Sequence, residues 1–89
     1  VLRTFTVGAE PTPLYRDLHA TAEAALAAVL AQVRAGATMQ ALVEASACIE
    51  EAGFTTCDDL VHGFVGGYFA PVLGSRSRPA GPLPDMTLA

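Results

Sequence analysis

An α+β fold is predicted for this 89-residue chain, with two long helices packed on one face of an antiparallel sheet. Three observations carry the prediction. Residues 2–7 alternate in side-chain direction, residues 13–35 and 39–52 place apolar side chains at helical spacing, and residues 60–73 form an apolar, aromatic run cut by three glycines and a proline.

The first stretch, from Leu2 to Val7, sends Arg3, Phe5 and Val7 one way and Leu2, Thr4 and Thr6 the other. Its β-branched and aromatic residues favour a strand, which Gly8 to Pro11 ends. Thr12-Pro13 then supplies a helix start: threonine accepts a backbone N–H, and proline at the first helical position loses no donor the helix needs. Apolar residues at 14, 18, 26, 29, 30 and 33, with alanines at 22 and 25, line one face of a helix over 13–35, and Gly36 follows as its stop. Thr38 caps a second helix, 39–52, whose buried side is Met39, Leu42, Val43, Ser46 and Ile49 and whose stop is Gly53. The short Ala35–Thr38 link makes the two helices neighbours.

Beyond Phe54 the pattern changes. Three glycines and Pro71 within 60–73 rule out a helix and suit strands and turns where backbone comes close to a ligand or to another strand. Residues 74–84, with three prolines, read as loop.

Composition excludes several functions. The net charge is −4 and all five basic residues are arginine, so no basic stripe exists to neutralise phosphates, and nucleic acid is not an expected partner. The strongly apolar stretch 24–30 is far shorter than the roughly 20 residues a bilayer span needs, so no membrane role is expected. Cys48 and Cys57 form no metal-binding or redox spacing and read as reduced thiols of a cytoplasmic protein. Hydrophobic residues make up 52% of the chain and charged ones 16%. A domain this small has proportionally more surface to keep wet, so the excess suggests apolar surface covered from outside the chain. Absent lysine and abundant alanine are associated with GC-rich bacterial genomes.

In order, Arg3-Thr4-Phe5-Thr6-Val7-Gly8, the helix pair joined by Arg34-Ala35-Gly36-Ala37-Thr38, Glu50-Glu51-Ala52-Gly53-Phe54 and His62-Gly63-Phe64 resemble the central part of the pita-bread metallopeptidase family. That family includes methionine aminopeptidases, Xaa-Pro peptidases and creatinase. The match covers nearly the whole chain, and Pro71-Val72-Leu73-Gly74-Ser75 is most similar to the Xaa-Pro peptidase and dipeptidase side.

The resemblance implies an internal slice of a pita-bread catalytic domain, residues 1–89, inactive by itself. The parent enzyme would hydrolyse N-terminal peptide bonds of small peptides, using two divalent metal ions (Mn, Co or Zn) held by two aspartates, one histidine and two glutamates. Hard carboxylates bridge the two cations and an imidazole fixes the site, so that a shared water is activated near neutral pH. His62 matches the histidine of that set, and Gly63 would let the strand pass close to the metals. The matching aspartates fall before Val1 and the glutamates after Ala89, so the remainder of the catalytic domain is an expected partner, and a homodimer is allowed.

This sequence departs from the family in two places. Phe69 stands where many members carry a second histidine that contacts the substrate carbonyl, and Val65 replaces a frequent glycine. These departures keep two other readings in view, a creatinase-like C–N hydrolase independent of metal and a non-catalytic binding member. Tyr68 and Phe69 are candidates for a substrate pocket or for core. Asp58 and Asp59 read as solvated turn residues, His19 as a surface histidine, and Arg76 and Arg78 as solvated loop residues with the option of neutralising a substrate carboxylate.

Overall fold

A computed structural model describes residues 4–57, 59–64 and 68–83, with the backbone alone at Tyr68 and Phe69. The element order is α1 (Pro13–Gln32), α2 (Met39–Ala45), α3 (Ala47–Glu51), β1 (Val61–Phe64) and β2 (Tyr68–Leu73). The fold is α+β: helices joined to a two-stranded antiparallel sheet.

Local chemistry accounts for each element. Thr12 caps α1, its hydroxyl accepting from the Tyr15 N–H at 3.3 Å, with Pro13 behind it. The helix, about 30 Å long at 1.5 Å per residue, ends at Gln32 rather than at 35. Val33 is already extended, and residues 34–37 form a turn closed by the Ala37 N–H on the Arg34 carbonyl. Gly36 sits in that turn at φ +82°, a conformation side chains rarely adopt.

Thr38 caps α2 by accepting from the Ala41 N–H at 3.1 Å. The second helix is not continuous over 39–52. Fully buried Ser46 donates its hydroxyl to the Val43 carbonyl at 2.7 Å, and its own N–H turns to the same carbonyl, which splits the segment into α2 and α3. Serine competes with the helical ladder in this way because its hydroxyl can bond backbone one turn back. Helix α3 ends in a Schellman motif: Phe54 N–H donates to the Ile49 carbonyl and Gly53 N–H to that of Glu50, with Gly53 at φ +83°.

The glycine-rich run folds as a hairpin, Val61 opposite Leu73 and His62 opposite Val72. The register then slips between His62 and Gly63, so that Gly63 faces Phe69 and Phe64 faces Tyr68. Ala70 and Pro71 occupy the slip, where a proline without an N–H disturbs least. Residues 74–83 return to the helices. Leu83 N–H donates to the Ala37 carbonyl, Met39 N–H to that of Gly81, and Thr38 bridges Pro82.

The core joins all these pieces: Val29 of α1, Leu42 and Val43 of α2, Val61 of β1 and Leu73 of β2, flanked by Met39, Ala45, Leu60 and Leu83. Two expectations need correction. Thr4 to Val7 form no strand among the described residues; Phe5 is 81% exposed, because strand propensity stabilises little without a ladder partner. The rest of the expected strand, Leu2 and Arg3, lies outside the described residues. The buried face of α1 is also narrower than its spacing suggests. Ala25 and Val29 are buried, whereas Leu14 (64%), Leu18, Leu26, Leu30 (60%) and Val33 are exposed.

Two outcomes follow. Leu42→Ala, which opens a cavity at a site with no exposed surface, should cost about 3 kcal/mol in urea unfolding, within the 2–5 kcal/mol that such truncations cost. The α1 stripe makes the folded 89-residue chain bind a dye that reports hydrophobic surface; a folded monomer that leaves the dye dark refutes an uncovered stripe.

Candidate functional site

His62 is positioned by the hairpin. It lies in β1 immediately before the register slip, with its side chain 16% exposed. Its Nδ1 is 2.9 Å from the Gly63 carbonyl oxygen. A carbonyl only accepts, so in this contact Nδ1 carries the proton and donates. Metal-binding histidines commonly anchor one ring nitrogen to an acceptor in this way. Nε2 stands 3.7 Å from Oδ2 of Asp59, whose side chain is 10% exposed.

Asp59 is therefore not the solvated turn residue the sequence suggests. The segment entering β1, tied by the Leu60 N–H to the Leu73 carbonyl, carries it inward beside His62. Its position three residues before His62 gave the one available hint, since the intervening segment is not helical and spacing alone does not orient it. Asp58 lies outside the described residues. So do the side chains of Tyr68 and Phe69; their backbone pairs with Phe64 and Gly63, across the hairpin from the segment that carries His62.

The other site candidates go elsewhere. His19 is exposed on α1. There it lines, with Phe5, Tyr15, Arg16 and Leu18, an open groove of about 550 Å³ between the N-terminal segment and the helix. Cys48 is half-buried and Cys57 exposed, both as free thiols. Arg78 donates to the carbonyls of Arg76 and Ser77, and Arg76 pairs with Glu50 at 3.3 Å.

Glu50, Ser75, Arg76 and Thr56 form a polar junction between α3 and the turn after β2. The Ser75 hydroxyl donates to Glu50 Oε1 at 2.9 Å, and the Ser75 N–H reaches Thr56 Oγ1 at 3.4 Å. Beside it, Thr55, Thr56, Gly74, Ser75, Arg76 and Ser77 line a shallow depression of about 340 Å³. The Ser75 hydrogen bond holds the Glu50 carboxyl below the usual glutamate range, against some desolvation and with help from Arg76. Sequence reading missed this junction because its members are far apart along the chain.

Among the described residues, no three His, Cys, Asp or Glu side chains come together as a metal site. His62 and Asp59 are brought together by the hairpin, Nε2 at 3.7 Å from Oδ2. Also among the described residues, no helix is long and apolar enough to cross a membrane.

Residues 1–77 match the model of metallopeptidase family M24. The chain belongs to that family, whose metallopeptidases are hydrolases that use divalent metals. Comparisons with curated proteins and with solved structures gave no match.

The junction yields a pH prediction. A carboxyl whose folded pKa is depressed stabilises the fold above its unfolded pKa, and that contribution disappears as pH falls through the folded value. Ser75→Ala should raise the Glu50 titration, followed by carboxyl-carbon NMR, back toward the ordinary glutamate value. It should also flatten the acid limb of the stability curve below the ordinary glutamate range. An unmoved titration would show that Ser75 does not hold the carboxylate.

Proposed function

We propose that this chain is an internal slice of an M24 catalytic domain that cleaves N-terminal peptide bonds of small peptides, of Xaa-Pro peptidase or dipeptidase type. His62 is read as one of its metal ligands. The observation that supports this most directly is the His-Gly pair within a family match over residues 1–77, with His62 Nδ1 anchored on the Gly63 carbonyl.

Two divalent cations, Mn, Co or Zn, would supply Lewis acidity and an activated water in the complete domain. The chain's own residues have plainer tasks. His62 holds one position of the site, the Gly63 carbonyl anchors its ring, and the hairpin sets the ring's place against the core through Val61 and Leu73. Tyr68 and Phe69 are proposed for the substrate pocket, since their backbone pairs with β1 next to His62. The remainder of the catalytic domain would cover the apolar stripe of α1, and a cytoplasmic, bacterial setting suits the free thiols and the composition.

Phe69 favours a second reading. Where many relatives place a substrate-contacting histidine, phenylalanine can neither donate a hydrogen bond nor take up a proton, which suits a creatinase-like or non-catalytic binding member.

Metal content and Xaa-Pro dipeptide hydrolysis, measured on the complete protein and its His62→Ala variant, separate the readings. The peptidase reading expects bound divalent metal and cleavage in the parent, with both lost in the variant. A metal-free parent inert toward peptides overturns it and leaves the binding or creatinase-like role.

A further inference from the structure

The hairpin that carries His62 meets the helices in two ways. One is apolar, through Val61 and Leu73 in the core. Such contacts are non-directional, so they hold the strands against the helices without fixing where along them the strands sit. The other is polar and directional. Ser75, buried two residues beyond β2, donates its hydroxyl to Glu50 Oε1 at 2.9 Å, and its N–H reaches Thr56 Oγ1 at 3.4 Å. Arg76 brings Nε to the same Glu50 oxygen at 3.3 Å. The turn that presents both residues is closed on itself. Ser77 N–H donates to the Gly74 carbonyl at 3.1 Å, and Gly74 N–H to the Ser77 hydroxyl at 2.9 Å.

From that turn a short path leads to His62. Leu73 accepts from the Leu60 N–H and pairs with Val61, the immediate neighbour of His62, and Val72 pairs with His62 itself. A displacement of the turn relative to α3 therefore reaches the imidazole through backbone that is already hydrogen-bonded. Glu50 stands on the helical side of the joint, in the last turn of α3, with Ser75 and Arg76 converging on its Oε1. We propose that Glu50 is a positioning residue for His62: its carboxylate pins the 74–77 turn to α3 and so sets where the hairpin holds the imidazole. The placement rests on this geometry, while its bearing on catalysis rests on the reading of His62 as a site residue.

The test uses the complete protein and its Glu50→Ala, Glu50→Gln, Ser75→Ala and Glu50→Ala/Ser75→Ala variants. Thr38→Ala serves as a control that weakens the fold at the α2 cap instead. NMR at one pH follows the His62 ring and the Val61 and Leu73 amides. Glu50→Ala and Ser75→Ala should move these signals alike, and the double variant no further than either alone, because both remove the same link. Glu50→Gln keeps an oxygen that accepts from Ser75 and should leave the signals near those of the wild type. In Glu50→Ala, Xaa-Pro dipeptide hydrolysis should fall on the order of 10-fold in kcat with KM nearly unchanged, since a small displacement of a site residue slows the chemistry. Signals that stay in place in folded Glu50→Ala protein, or that Thr38→Ala moves as far, overturn the proposal. A complete protein inert toward dipeptides overturns the peptidase reading alone, and moved ring and amide signals then still support the placement.

Discussion

Everything the chain holds in place is arranged around Leu42. With none of its surface exposed, it joins a helix, a second helix and both strands in one apolar contact set with Val29, Val43, Val61 and Leu73. A cluster of five such side chains is small, and hydrophobic burial at about 25 cal/mol per Å² gives a core of that size little reserve. The hairpin therefore depends on two of its own residues, Val61 and Leu73, for attachment to the helices. His62 inherits its position from the first of these, because neighbouring residues in a strand point to opposite faces. Val61 faces the core, so His62 faces away from it, toward the side where Asp59 is also found.

Elements with local causes were legible in the sequence. Threonine caps, a proline at the first helical position and glycines at positive φ act over a few residues, and Thr12, Pro13, Thr38, Gly36 and Gly53 work in the structure as their identities suggest. What could not be read depends on partners distant in the chain. Thr4 to Val7 have strand-forming side chains but no ladder among the described residues, and the leucines of α1 repeat at helical spacing whether or not anything covers them. Ser46 lies between these cases. Its place on the buried face follows from spacing, but its hydroxyl breaks the helix only because burial leaves it no water to bond.

The site divides in the same way. A motif marks His62 and Gly63 as candidates in the sequence. Asp59 was not recognisable, since an aspartate before a strand is usually solvated and only the turn of the chain into β1 buries this one. The Glu50–Ser75 junction was equally hidden. It pairs a helix end with a turn on the far side of the hairpin, and each partner alone looks like an ordinary surface residue.

The clasp formed by residues 81–83 on Ala37 and Met39 bears on the order of assembly. Its two halves are separated along the chain by α2, α3 and the hairpin. Bringing such distant segments together carries a loop-closure entropy that shrinks once the intervening chain is already compact. The helices and hairpin, built on short-range contacts, can form first and shorten the effective loop, leaving the clasp to close last. During synthesis the helices would thus emerge before residues 81–83, which clasp them, have left the ribosome.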